Sequence, residues 1–159
     1  ELSIPVDHRN RVTFGPPGCP VAVVGADVWD LKQNKTTAKL ADPFTEDGLR
    51  AVSAQGKLFA AGSKSPNQTG TAVAVWDTAT GKRVLDVPAA PTAYVDVLAL
   101  SRDKYLIVGG RHSRELAVWD VETGKVVKRL TVPDRRVEQG RVFFSQDGRY
   151  FAGTAHDRI

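Results

Sequence analysis

The stretch Glu115-Leu116-Ala117-Val118-Trp119-Asp120, followed at once by Val121-Glu122-Thr123-Gly124-Lys125, decides how this chain is read. Its first half alternates, with Leu116, Val118 and Asp120 on one side and Ala117 and Trp119 on the other, as a β-strand with both faces covered requires. Its second half is a turn, with Gly124 where the backbone must reverse and Lys125 opening the next strand. The same phrase occurs upstream as Val75-Trp76-Asp77 with Thr80-Gly81-Lys82, and again as Val28-Trp29-Asp30 with Lys35 five residues beyond the Asp. These copies use all three tryptophans of the chain.

A second turn phrase is interleaved with the first: Ser53-Ala54-Gln55-Gly56-Lys57, Ser101-Arg102-Asp103-Lys104-Tyr105 and Ser145-Gln146-Asp147-Gly148-Arg149. Self-similarity with a period in the forties points to a stack of identical supersecondary units. In the best-formed unit, strands are expected over 95–100, 105–108, 115–121 and 125–130, giving one small antiparallel sheet. Bulky apolar residues on both sides of the inner strands mean that neighbouring sheets cover each other's faces.

The Val-Trp-Asp strands, the turns after them, and the small-residue strand ends Ala60-Ala61-Gly62-Ser63, Val108-Gly109-Gly110 and Ala152-Gly153-Thr154 resemble the WD-repeat β-propeller family from about Val21 onward. The resemblance implies an all-β chain: a β-propeller fragment of four-stranded antiparallel blades forming an incomplete ring. The blades divide into a remnant over 1–41, units over 42–88 and 89–132, and an incomplete unit over 133–159. Propellers close with about four to eight blades, so 159 residues are expected to be part of a larger ring, completed by remaining blades of a parent chain or by a second copy. The close spacing of Val21-Ala22-Val23-Val24-Gly25 and Ala26-Asp27-Val28-Trp29 predicts a first blade that is shortened or partly missing. The Gly-His pair of many family members is absent, its nearest positions holding Ala93-Tyr94 and Gln139-Gly140, so the tryptophans are expected to be held mainly by packing. Trp29, Asp30, Trp76, Asp77, Trp119 and Asp120 are therefore assigned structural roles, the indoles as wedges between sheets.

The chain is 42% apolar and 25% charged and has no run long enough to span a membrane as a helix. Cys19 is the single cysteine, which excludes an internal disulfide and fits a reducing compartment such as the cytoplasm without fixing an address. Asn34-Lys35-Thr36 and Asn67-Gln68-Thr69 match the glycosylation acceptor pattern, which arises readily by chance.

The net charge of +4 matters through its placement. In the family topology the loops over 63–70, 88–94, 110–114, 133–139 and 156–158 share one face. They carry Lys64, Arg111, Arg114, Arg135, Arg136 and Arg158, with His112 and His156, against Asp134, Glu138 and Asp157. Loops on a rigid scaffold are where binding resides, and arginine suits bidentate contact with carboxylate or phosphate. Lys64, Arg111, His112, Arg114, Arg135, Arg136, His156 and Arg158 are thus the candidate partner-binding residues, for a protein partner presenting an acidic or phosphorylated peptide. Nucleic acid is not expected, because stacking aromatics are not interleaved with these residues apart from Tyr94.

No nucleophile elbow, zinc helix, phosphate loop or dinucleotide fingerprint is present. His112 and His156 fall short of the three or four ligands a metal site needs. No catalytic residue, cofactor or metal is expected. The chain is expected to act as a non-catalytic interaction scaffold; the alternative is a propeller module of a larger enzyme, kinase-fused or otherwise, with its active site outside this chain.

Overall fold

A computed structural model describes residues 11–42, 48–62, 71–88, 95–110, 115–131, 142–145 and 147–153. Within them the chain is all-β, with no helix. Strands β1 (Val12–Phe14), β2 (Val21–Val24), β3 (Asp27–Asp30) and β4 (Lys35–Lys39) form the first sheet, in chain order and antiparallel. The second consists of β5 (Arg50–Val52), β6 (Leu58–Gly62), β7 (Thr71–Asp77) and β8 (Arg83–Pro88), and the third of β9 (Val95–Leu100), β10 (Tyr105–Gly110), β11 (Glu115–Asp120) and β12 (Lys125–Thr131). Strands β13 (Val142–Phe144) and β14 (Phe151–Gly153) pair as a fourth, two-stranded sheet. None of the sheets closes into a barrel.

The first repeat has short strands but lacks none of the four. Gly25, at φ 60°, with Ala26 makes the whole β2–β3 connection, which is why the sequence shows no loop there. Observed strand ends differ slightly from those expected: β10 runs on to Gly110, and β11 stops at Asp120 because that residue's carboxylate begins the next turn.

Each Trp-bearing strand carries the same irregularity. Pairing with the following strand shifts between Val28 and Trp29, between Val75 and Trp76, and between Val118 and Trp119. Ala38 and Thr36 oppose Val28 and Trp29, Leu85 and Arg83 oppose Val75 and Trp76, and Lys128 and Val126 oppose Val118 and Trp119. The skipped residues are Thr37, Val84 and Val127, the extra residue of a β-bulge in each case. This accounts for two apolar side chains that sit in solvent, Val84 and Val127.

Alternation then sorts the apolar side chains onto opposite faces. One cluster joins Val23, Val28 and Leu40 of the first sheet to Val52, Phe59, Ala61, Ala74 and Trp76 of the second. The opposite face of the second sheet, through Leu58, Ala60, Val73, Val75, Leu85 and Val87, packs on Val95, Leu100, Leu106 and Val121 of the third, with Trp119 against it. Val97, Ile107, Leu116 and Val118 use the remaining face of the third sheet and meet Val142 and Phe144 of β13. The sheets therefore lie side by side in chain order, joined along their first strands β1, β5, β9 and β13. The second sheet is covered on both faces, so β7 is buried from Ala72 to Trp76. At about 1.5 to 3 kcal/mol for each fully buried large aliphatic side chain, these interfaces supply most of the drive to fold. The outer strands β4 and β12 carry Lys35, Lys39, Lys125, Lys128 and Arg129, charges that discourage pairing at an open edge.

Candidate functional site

Antiparallel order brings the turn after each first strand and the turn after each Trp-Asp strand to one end of the sheets. The Trp-Asp turns are built alike. Asp30 Oδ1 accepts from the N–H groups of Lys32 (2.8 Å) and Gln33 (2.9 Å), Asp77 Oδ1 from Thr80 N–H (2.8 Å), and Asp120 Oδ1 from Thr123 N–H (2.9 Å). The Thr80 and Thr123 hydroxyls donate to the same oxygens at 2.8 and 3.1 Å. A short side chain that folds back on its own turn is why Asp occupies these positions. Four residues after each Asp the backbone turns left-handed, at Gly81 (φ 69°), Gly124 (φ 66°) and Asn34 (φ 50°). Asn34 stands where the other copies have Gly because Asn is among the few residues that tolerate that conformation. The Gln33 N–H holds the Asp30 carboxyl below its ordinary range, and the Thr123 N–H does the same for Asp120.

The other turns hang on serine. Ser53, Ser101 and Ser145 accept on Oγ from the N–H groups of Leu58 (3.0 Å), Tyr105 (2.7 Å) and Tyr150 (3.0 Å). Ser53 and Ser101 are buried. The Ser53 and Ser145 turns contain left-handed Gly56 and Gly148, whereas the Ser101 turn is one residue shorter and needs none. Within each sheet the two turns are tied by main-chain bonds, Thr78 N–H to Lys57 O and Val121 N–H to Lys104 O, both at 2.9 Å. The Ser145 hydroxyl donates to Asp147 at 2.6 Å; with the Arg149 N–H, that bond holds the Asp147 carboxyl low.

Neighbouring sheets are also linked at this end. The Ser53 hydroxyl donates to Asp103 Oδ1 at 2.7 Å, so a turn of the second sheet is fastened to a turn of the third. The Gln55 amide, with its nitrogen toward Asp103 and its oxygen toward Arg102, donates to the former and accepts from the latter. Cys19 Sγ lies 3.7 Å from the carbonyl oxygens of Val21 and Ser53, and burial pushes its thiol pKa up, which makes it a poor nucleophile.

Beside these turns a cavity of about 700 Å³ opens between the first strands. Phe14, Val52, Leu98, Leu100, Val142 and Phe144 are among the residues that line it, with Arg50 and Arg102 on the same wall. Four sheets contribute to that wall, so the cavity is a product of their packing. A second, polar cavity of about 600 Å³ is bounded by Gln55, Arg102, Ser145, Asp147 and Tyr150. Among the described residues no group of three or more His, Cys, Asp or Glu side chains could hold a metal ion. The Ser53 hydroxyl both donates to the Asp103 carboxylate and accepts from the Leu58 N–H, an arrangement that fixes a turn.

Of the residues singled out in the sequence, Trp29, Asp30, Trp76, Asp77, Trp119 and Asp120 fall within the described residues, each at the end of a third strand. Trp76 is fully buried, 5.7 Å from the Phe59 ring, and has a main-chain partner that packing alone did not anticipate: Nε1 donates to Ala41 O at 2.6 Å. Lys64, Arg111, His112, Arg114, Arg135, Arg136, His156 and Arg158 all lie outside the described residues. The Ser53–Asp103 bond and the cavity were not visible in the sequence. The repeated turn serines signal a local role, but nothing marks a link across 50 residues.

No family model matches the chain, and no curated protein matches it. Solved structures do. One is the crystal structure of the computationally designed Ika8 protein, superposable with a TM-score of 0.53 at 22% identity over 74% of this chain and 35% of that one. The likeness is one of fold, and the aligned part of this chain spans about a third of the designed protein.

Proposed function

We propose that this chain is part of a WD-repeat-type β-propeller that serves as a non-catalytic platform for a protein partner, binding an acidic or phosphorylated segment through the loops opposite the turn end. In this reading further sheets, from a parent chain or a second copy, complete the ring. The observation that carries it is how fully the turn end is engaged in its own hydrogen bonding. Asp30, Asp77, Asp120, Ser53, Ser101 and Ser145 all fix their own turns, and Ser53 and Gln55 also fasten one sheet to the next. A stiff end of that kind is a base on which loops at the other end can be displayed. Those loops hold the excess of basic residues, Arg111, Arg114, Arg135 and Arg136 among them.

The test is binding of acidic and phosphoserine-bearing peptides, with uncharged peptides as controls, to the chain and to a variant with Arg111, Arg114, Arg135 and Arg136 all changed to Ala. The expected result is at least tenfold weaker binding of the charged peptides by the variant, and a loss of wild-type affinity with added salt as screening requires. Equal affinity for wild type and variant, with an unchanged β-sheet spectrum, would remove the basic loops from the account.

A further inference from the structure

Trp76 and Trp119 occupy the same position in successive sheets, next to the same bulge, and each packs against the sheet before it. What each meets there is different. At the seam between the first and second sheets, Ala41 clasps the next sheet twice: its carbonyl accepts from Trp76 Nε1 at 2.6 Å, and its N–H donates to Gly81 O at 2.9 Å. The backbones are so close that a Cβ at Gly81 would collide with the Lys39 carbonyl.

Ladder register identifies the residue that holds this position at the next seam. Val28 opposes Ala38 and Val75 opposes Leu85, so Leu40 corresponds to Val87, both buried, and Ala41 corresponds to Pro88. Proline has no N–H to give. At Gly124, the counterpart of Gly81, the nearest atom to a Cβ among the described residues would be a side-chain carbon, Leu85 Cδ1 at 3.6 Å, in place of a backbone carbonyl. Trp119 Nε1 is sealed from solvent and has no acceptor among the described residues. A buried donor without a partner costs free energy in the closed state that water would return on opening. The inner end of the same seam is fastened, by Ser53 to Asp103 and by Gln55 to Asp103 and Arg102.

We propose that the seam between the second and third sheets is a hinge: it opens at its outer rim, where Trp119 and Pro88 lie, and pivots about the polar link at its inner end, while the seam at Trp76 stays shut. Opening exposes an indole donor and the Gly124 carbonyl in the arrangement that Ala41 occupies at the closed seam.

Indole hydrogen exchange in the intact chain tests this, because Trp119 Nε1 is covered and can exchange only when the seam parts. The three indole signals are assigned with single Trp-to-Phe variants, and exchange is followed in native buffer and at low denaturant. The expected result is at least tenfold faster exchange at Trp119 than at Trp76, with a shallow denaturant dependence at Trp119 and the global one at Trp76. Pro88→Ala, which supplies the missing N–H, is expected to narrow the ratio. Equal protection and equal denaturant slopes at the two indoles would overturn the proposal, as would a ratio that Pro88→Ala leaves unchanged or widens.

Discussion

The seam at Trp76 and the seam at Trp119 are made from the same motif, and their difference shows how much of a repeat's behaviour is decided by its neighbour. Both indoles end a third strand, both follow a bulge, and both lie against the preceding sheet. Trp76 is completely buried, lies tilted at 39° to the Phe59 ring and has the Arg83 guanidinium 5.6 Å from its ring. Trp119 is partly exposed and its indole N–H is unmatched among the described residues. The residue at the exit from the previous sheet differs, Ala41 in one case and Pro88 in the other, and only Ala41 has an N–H to give to the facing turn. A motif defines the sheet; the contact between sheets is defined by residues the motif does not include.

Truncating the indoles separates the two seams most strongly. Trp76→Ala is expected to cost about 3 to 5 kcal/mol, the range for emptying a well-packed aromatic site. Trp119→Ala is expected to cost less, by about 1 kcal/mol or more, since it removes a less buried ring and relieves an unsatisfied donor. Urea unfolding of both variants against wild type measures this, and midpoints that fall equally at an unchanged slope would contradict the distinction.

A smaller effect is expected at the paired glycines. Both are left-handed, so alanine costs about 1 kcal/mol at either for backbone conformation alone. At Gly81 the new methyl group must also displace the Lys39 carbonyl, whereas at Gly124 it enters ordinary contact distance of Leu85. Gly81→Ala is therefore expected to be the more destabilising by about 1 to 2 kcal/mol, a typical cost of overpacking. Equal losses in thermal unfolding would mean that the two seams are equally tight.

The Asp120 turn gives the smallest and most specific signal. Its carboxyl is held below the ordinary value of 3.8 in the folded chain, chiefly by the Thr123 N–H. The unfolded chain therefore takes up the proton first as the solution is acidified. The carboxylate's contribution is fully present above 3.8 and disappears as the pH falls through the lower folded value. Asp120→Asn is expected to flatten the pH dependence of stability in that window without altering it near neutrality. An acid profile that the substitution leaves unchanged would show that the turn carboxylate is not titrating as described.

Much of the architecture was legible in the chain because the strands are short, their alternation is clean and the turn residues recur. Val118-Trp119-Asp120 and Thr123-Gly124-Lys125 predict the β11 turn and β12 nearly to the residue. Asn34 concealed the first copy of that turn only partly, since Asn is the usual substitute for a left-handed glycine. The first sheet was harder, as Gly25 and Ala26 compress a connection that is longer in the next two repeats. Contacts between sheets were not legible. Ser53 reads as a turn former, and its bond to Asp103 follows from the way two sheets meet. Val84 and Val127 are apolar, yet a bulge that nothing in the sequence marks turns them outward. Pro88 reads as the first residue of a loop, whereas it ends β8, and its importance appears only once the register gives it the place that Ala41 holds in the first sheet.

Trp76 and Trp119 each pack against the sheet that precedes them in the chain. Nuclear Overhauser contacts from the indoles test this most directly. Trp76 is predicted to show contacts to Leu40 and Ala41 of the first sheet, and Trp119 to methyl groups of the second-sheet cluster that includes Leu85 and Val87, with no contact from Trp119 to the first sheet. Both indoles in contact with one shared cluster, or either one lacking contact with the preceding sheet, would contradict the side-by-side order of sheets from which the function and the hinge are argued.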